Sequence, residues 1–373
     1  MKMSDRKHTY KFLISGGGTG GHIFPALSIA GEIKKRLPDA EILFAGAENR
    51  MEMQRVPQAG YEIVGLPIAG LQRKLTPKNL MLPVKIIKSI MKAKDLIKSF
   101  RPDAVIGTGG YASAPVVWMA QQMKIPTYIQ EQNSYPGITN RFLGKKARKI
   151  FTAYDEAAQY FPAGKVIMTG NPVRPEIKEV SLTPKDYHAF GLKENLPVVL
   201  ILGGSLGSAI INRYVAQWVE NSSAKPGFQL LWQTGKLYYD RYKNLENEYV
   251  KIVPFIKEMN KAYSLADLIV SRAGAGTLSE LALVGKPVIL IPSRNVSEDH
   301  QTKNAKALEK RNAAILLPEE QLDELFERIA GLLTDEKRRK ELLENIMQTA
   351  KPDAVEEIVD HILKDIEINS NPD

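Results

Sequence analysis

The sequence predicts an α/β protein of two domains, each a parallel sheet wound with helices. Short β-rich runs alternate with helical patterns along nearly all of the 373 residues, as parallel sheets require, because parallel neighbours must be joined by a crossover. The pattern also restarts. A strand running straight into a glycine-rich turn and a helix occurs near the N-terminus and again at Val198. A chain of this length has room for two cores of ordinary size.

In chain order, the first-half strands are expected at Lys11–Ser15, Glu41–Ala45, Glu62–Leu66, Ala104–Gly107, Thr127–Gln130 and Lys149–Thr152. The stretch Thr169-Gly170-Asn171-Pro172-Val173-Arg174-Pro175 carries two prolines that cannot continue regular structure, which makes it the expected hinge. Strands of the second half are expected at Val198–Leu202, Gln229–Gln233, Val250–Val253, Leu268–Ser271, Val288–Ile291 and Ala314–Leu317. The domains are therefore 1–173 and 174–351. A last helix, 352–368, has Asp353 and Glu356 at capping-box spacing and an apolar face of Val355, Ile358, Val359, Ile362 and Leu363, and is expected to cross back onto the first domain.

Composition narrows the class. With 44% hydrophobic and 25% charged residues the chain is globular, and the absence of cysteine excludes disulfides, zinc-thiolate sites and thiol nucleophiles. No stretch approaches 18 uninterrupted apolar residues, and the start Met1-Lys2-Met3-Ser4-Asp5-Arg6-Lys7-His8 lacks the apolar core of a secretory signal, so a cytoplasmic protein is expected.

The net charge of +9 is unevenly spread. Residues 1–173 hold 25 Lys and Arg against 12 Asp and Glu, leaving −4 on the remainder. Within Leu71–Arg101 nine cations (Arg73, Lys74, Lys78, Lys85, Lys88, Lys92, Lys94, Lys98, Arg101) face Asp95 alone, while Ile86, Ile87, Ile90, Met91, Ala93 and Ile97 recur at helical spacing. An amphipathic helix with a solvated lysine face would look like this, and so would one that meets an anionic membrane surface. Nucleic acid is disfavoured, since no aromatic precedes Phe100 in the segment to stack on bases.

Four glycine turns follow strands: Gly16-Gly17-Gly18-Thr19-Gly20-Gly21-His22, Gly107-Thr108-Gly109-Gly110-Tyr111, Gly203-Gly204-Ser205-Leu206-Gly207-Ser208 and Arg272-Ala273-Gly274-Ala275-Gly276-Thr277. Backbone N–H groups at a helix start, together with the positive end of the helix dipole, suit a phosphate. In open parallel sheets ligands bind beyond the carboxyl ends of the strands, so two facing sheets would hold these loops across one cleft. His22 falls in the first helical turn. Glu280, about one turn after the fourth loop, is placed to accept from ribose hydroxyls. Glu131-Gln132-Asn133-Ser134-Tyr135 and Glu298-Asp299-His300-Gln301 follow strands and offer groups that both donate and accept, as reading a sugar requires.

Several chemistries find no support. There is no G-x-x-x-x-G-K-[ST], no D-x-D and no H-E-x-x-H, so neither a P-loop NTPase nor a dedicated metal site is expected. Ser205 stands in a strand-to-helix turn without a case for a triad.

The order of Gly17-Gly18-Thr19-Gly20-Gly21-His22, Gly109-Gly110-Tyr111, Glu131-Gln132-Asn133, Gly170-Asn171-Pro172-Val173-Arg174, Gly203-Gly204-Ser205 and Arg272 to Glu280 resembles the MurG family, the peripheral-membrane N-acetylglucosaminyltransferases of bacterial peptidoglycan synthesis. The resemblance covers about Tyr10 to Leu363. It implies a GT-B fold, two Rossmann-like domains facing across a cleft, with the C-terminal helix returning to the first. The implied reaction moves GlcNAc from UDP-GlcNAc to the C4 hydroxyl of MurNAc-pentapeptide on undecaprenyl diphosphate, with inversion and no cofactor, at the cytoplasmic face of the membrane. It also implies that Ile256 lies against uracil, that Ala275, Gly276 and Thr277 meet the diphosphate with Leu278 and Ser279 beside them, that Glu280 takes the ribose and that Gln301 reads the GlcNAc hydroxyls. Arg174 and Ser205 match further donor contacts. Thr19, Gly20, Gly21, Tyr111, Asn133 and Asn140 are the substrate contacts implied in the first domain. His22 is the favoured base and Glu131 the second choice. Leu206 and His300 stand where family members often carry glutamine.

Three other readings use the same features. A UDP-GlcNAc 2-epimerase has a similar two-domain fold but no use for the basic segment, and a membrane-surface scaffold would bind nucleotide without chemistry. A dinucleotide oxidoreductase comes third, because the second strand ends in Ala45-Gly46-Ala47 rather than in a ribose-binding acid.

Overall fold

The computed structural model describes residues 8–70, 82–173, 177, 183–204, 206–221, 226–294 and 299–370. Arg174, Ser205, the Arg174-Pro175 hinge and residues 71–81 of the basic segment lie outside the described residues. The chain divides into two compact units, Met1–Val173 with Asp353–Asp373, and Arg174–Pro352.

The first unit carries β1 (Lys11–Gly16), α1 (Gly20–Arg36), β2 (Glu41–Ala47), α2 (Glu52–Gln58), β3 (Glu62–Leu66), α3 (Leu82–Phe100), β4 (Ala104–Gly109), α4 (Ala114–Gln122), β5 (Thr127–Glu131), α5 (Ile138–Gly144), β6 (Lys149–Thr152) and β7 (Val166–Met168). Its sheet is parallel throughout, in the order β3-β2-β1-β4-β5-β6-β7. One face of the sheet is covered by α1 and by the terminal helix Ala354–Ser370: Ala26, Ile29, Ala30 and Ile33 share a core with Ile358, Val359, Ile362 and Ile366. The terminal helix is held electrostatically as well. Asp365 accepts from Arg148 Nε at 3.1 Å, Lys149 Nζ at 2.9 Å and the Tyr128 hydroxyl at 3.3 Å.

The second unit repeats the plan with β8 (Val198–Leu202), β9 (Gln229–Gln233), β10 (Val250–Val253), β11 (Leu268–Ser271), β12 (Val288–Leu290) and β13 (Ile315–Leu316), ordered β10-β9-β8-β11-β12-β13 and again parallel. Its strands are buried on both faces and read as continuous apolar runs, which is why Val198-Val199-Leu200-Ile201-Leu202 shows no alternation.

Two expectations change. The last expected strand, Ala314–Leu317, shrinks to two residues, and β7 was not expected at all: three half-buried residues at a sheet edge give no periodic signal. The apolar residues of the basic segment do not form one buried face either. Ala93 and Ile97 are buried, with Ile90 packed beside them, whereas Val84, Ile87 and Met91 form an exposed stripe.

Candidate active site

In both sheets the strand order reverses beside the first strand of the unit, so β1 and β4, and likewise β8 and β11, end side by side with their following loops in contact. This is the switch point at which open α/β sheets bind ligands.

In the first unit α1 begins at Gly20 after an extended Thr19, and His22 lies in its first turn. Thr108 Oγ1 donates to the His22 carbonyl at 2.8 Å, tying the loop after β1 to the end of β4. Gly110 (φ +76°) lies so close to the Gly17 carbonyl that a Cβ there would overlap it. The imidazole Nδ1 stands 3.0 Å from the Thr108 carbonyl and 2.9 Å from Gln132 Oε1. The Gln132 amide has one orientation, because its Nε2 donates to the carbonyls of Thr108 (2.7 Å) and Gln130 (3.2 Å) and to Gln130 Oε1. Facing two acceptors, Nδ1 carries the proton of the neutral ring, and the lone pair is on Nε2. Burial holds the ring below the ordinary histidine range, opposed by the bonds from Gln132 and Thr108 and by the charge of Glu52.

The network extends through buried amides. Gln130 Nε2 donates to Asn171 Oδ1 at 2.9 Å, and Asn171 Nδ2 returns to the Gln132 carbonyl at 3.1 Å. Glu131 is used differently. Its Oε1 accepts from the Asn133 N–H (2.9 Å) and Nδ2 (3.1 Å), and its Oε2 from the Gly137 N–H (3.3 Å) and Asn140 Nδ2 (2.9 Å). Burial raises the Glu131 pKa while these donors oppose the rise. Its oxygens are thus spent on folding the loop that carries Asn133 and Asn140. The Asn140 side chain and the His22 ring both border Gly109, since a Cβ there would stand 3.0 Å from His22 Nδ1 and 3.3 Å from Asn140 Nδ2. Asn140 Oδ1 and the Tyr111 hydroxyl are buried without a hydrogen-bond partner among the described residues, and the Tyr111 ring lies against Gly18.

In the second unit Arg272 joins the loops. Its Nη2 donates to Ser208 Oγ at 2.6 Å, its Nη1 donates to the Ile291 carbonyl at 3.0 Å, and Nη1 also pairs with Glu319 Oε1 at 2.6 Å. Helix Ala275–Val284 starts from an extended Gly274, so the helix dipole is directed at the loop and the N–H groups of Gly276 and Thr277 have no acceptor within the helix. Ser279 Oγ turns back to the Ala275 carbonyl, and Leu278 is a core residue. Glu280 accepts from the Tyr263 hydroxyl at 3.1 Å. Ile256 is buried and its N–H donates to Gln233 Oε1 at 2.8 Å. Gln301 Oε1 accepts the Ser293 N–H at 2.8 Å, which directs the amide nitrogen away from that bond. Glu52 is the contributor the sequence did not single out, and the bonds that Gln132 and Arg272 make from within their motifs were not foreseen, because the partners are distant in the chain.

Two parallel-sheet domains with glycine loops at both switch points belong to the GT-B fold class. The family-28 glycosyltransferase models match on both sides, the N-terminal domain over residues 12–152 and the C-terminal domain over 198–358. The chain belongs to glycosyltransferase family 28. It is 51% identical over 363 residues to a Flavobacterium psychrophilum protein named UDP-N-acetylglucosamine–N-acetylmuramyl-(pentapeptide) pyrophosphoryl-undecaprenol N-acetylglucosamine transferase, covering 96% of this chain and 98% of that one. A Cytophaga hutchinsonii protein of the same name is 48% identical, covering 95% and 96%. Among solved structures, Acinetobacter baumannii MurG matches with a TM-score of 0.75 at 27% identity, over 96% of this chain and 100% of that one. The UDP-GlcNAc 2-epimerase of Neisseria meningitidis shares the fold, with a TM-score of 0.66 at 16% identity over 96% and 100%.

Proposed function

We propose that the chain transfers N-acetylglucosamine from UDP-N-acetylglucosamine to N-acetylmuramyl-(pentapeptide) pyrophosphoryl-undecaprenol, with His22 as the base. The observation that carries the role of His22 is the double acceptor at Nδ1, which leaves Nε2 as a lone pair on a ring kept neutral by burial. The acceptor C4 hydroxyl gives its proton to Nε2 as its oxygen attacks the anomeric carbon. The bond from that carbon to the UDP oxygen breaks on the opposite side, which inverts the configuration. Negative charge grows on the leaving diphosphate, and the N–H groups of Ala275, Gly276 and Thr277 at the helix start stabilise it. Glu280 accepts from the ribose, Ile256 lies beside the base and Gln301 reads the sugar, with Leu278 and Ser279 shaping the loop and Arg174 and Ser205 as further donor contacts. Tyr111, Asn133 and Asn140, with Thr19, Gly20 and Gly21, meet the sugars from the first domain. Glu131, with both oxygens occupied, holds that loop in place.

The same reading takes the protein to an anionic membrane surface, where the lipid acceptor resides on the cytoplasmic face. Val84, Ile87 and Met91 are exposed on α3 among Lys85, Lys88 and Lys92, and Ile138 and Phe142 are exposed on α5. No helix among the described residues is long and apolar enough to cross a membrane.

Incubation with UDP-[14C]GlcNAc and the lipid-linked acceptor tests the reading by where the label goes. Label in the lipid fraction supports transfer. Label in a free epimerised UDP-sugar, or unchanged donor, would replace it with an epimerase or a scaffold.

A further inference from the structure

Glu52 is fully buried and forms no ion pair among the described residues. Its two oxygens accept the Gly18 N–H at 3.2 and 3.1 Å, and Oε1 also accepts the Ala47 N–H at 3.0 Å. Space has been cleared for it. A Cβ on Gly17 would overlap Glu52 Oε1, and one on Gly46 would stand 2.6 Å from its Cγ. A buried carboxylate with no cation is costly, and a neutral side chain could hold one loop N–H without that cost. Its charge therefore calls for a use. His22 lies four positions after Gly18, and in turnover it takes a proton while half-buried at the start of a helix, where the dipole opposes a cation.

We propose that Glu52 is a positioning residue for the transfer reaction: beneath the glycine loop it fixes Gly18, and with it the start of α1, and it supplies the counter-charge for His22 in its protonated form. This rests on the reading of His22 as base. The titratable groups around the ring are Glu52 from α2, Tyr111 from the turn after β4 and Glu131 at the end of β5. Of these, Glu52 is the one whose charge bears on His22, and it favours the protonated ring. Glu131 faces its own loop, as described above, and the Tyr111 ring lies against Gly18. A second consequence concerns anions. The Gly18 N–H is already filled from inside, so an acceptor diphosphate at this loop is left with the N–H groups of Gly20 and Gly21 at the helix start.

The test is Glu52→Gln, which keeps an oxygen acceptor and removes the charge. In steady-state assays kcat falls about tenfold or more, the KM for UDP-GlcNAc stays within about twofold, and the acidic limb of the pH profile moves to lower pH, since a lost anion lowers the histidine pKa. The His22 resonances titrate with the same downward shift in an NMR experiment that needs no turnover. Gly17→Ala, which keeps the carboxylate's charge but pushes it off Gly18, lowers kcat as well. Should either variant fail to fold, the wild-type Gly18 amide proton decides the contact: a downfield, exchange-protected signal supports the bond and a random-coil one overturns it. Wild-type kcat together with an unmoved His22 titration in folded Glu52→Gln overturns the proposal. If instead His22→Ala keeps its turnover, the base reading falls, and the His22 titration still reports on Glu52.

Discussion

Gln132 Oε1 lies 2.9 Å from His22 Nδ1, and the nitrogen of the same amide donates at 2.7 Å to the Thr108 carbonyl, which itself lies 3.0 Å from Nδ1. Three groups thus lock one another, and the lock selects the histidine tautomer. A glutamine does this without adding charge, so the ring stays neutral until it takes a proton from the substrate.

His22→Ala should lower kcat by about 10²- to 10⁴-fold, the usual contribution of a general base, with UDP-GlcNAc affinity unchanged. Because burial lowers the His22 pKa, the wild-type rate should stay level through neutral pH and fall only as pH drops below the ordinary histidine value, when the base becomes protonated. Gln132→Met should lower kcat in the same direction by freeing the tautomer. Near-normal kcat at saturating acceptor in His22→Ala, with a raised acceptor KM instead, would remove His22 as base.

Glu280→Ala should weaken UDP binding by about 1–3 kcal/mol, the cost of deleting a charged hydrogen-bond partner. Calorimetry with UDP alone reads it. Tyr263→Phe separates the two roles of the carboxylate: it removes the 3.1 Å bond that orients Glu280 and should cost less than the alanine change. Equal UDP affinity in folded Glu280→Ala would count against Glu280 as the ribose ligand.

The parts of this architecture that are local in sequence could be read from sequence. Strands β3, β6, β8, β9, β10 and β11 fall where apolar runs end in glycine or polar turns, and the loop that carries His22 is recognisable because its glycines are consecutive. What was hidden depends on distance along the chain. Gln132 reaches His22 across 110 residues and Glu52 reaches Gly18 across 34. The faint signal for Glu52 was the run of small residues Ala45-Gly46-Ala47 that makes room for it. The exposed stripe on α3 was hidden for another reason: Ile87 and Ile97 look alike in a periodicity count, and only the packing of β3 and α4 against the helix decides which one is covered.

Asp365→Ala should destabilise the first unit by about 1–3 kcal/mol, because the change leaves Arg148, Lys149 and the buried Tyr128 hydroxyl without their shared acceptor. Burial and the nearby carboxylate hold the Tyr128 hydroxyl far above the usual tyrosine range, so it stays a donor at any working pH. Urea unfolding monitored for the two units separately checks this. A shift confined to the second unit, or no shift, would show that the terminal helix is held by its apolar face alone.

Membrane attachment should separate into a charge part and an apolar part. Lys88 is exposed, whereas Lys92 already shares its charge with Glu48 at 3.3 Å, so of the two Lys88 should matter more. Replacing Lys85, Lys88 and Lys92 with glutamine should weaken binding to anionic vesicles by roughly 1 kcal/mol per charge that nears the surface, an effect that fades at high salt. Ile87→Ser with Met91→Ser removes the exposed stripe and should cost about 1.5 kcal/mol for each side chain that enters the headgroup region, an effect that salt leaves in place. Cosedimentation with vesicles at low and high salt distinguishes the two parts. If both sets of variants sediment like wild type at low salt, α3 is an ordinary solvated helix, and the lipid acceptor must be reached by another surface.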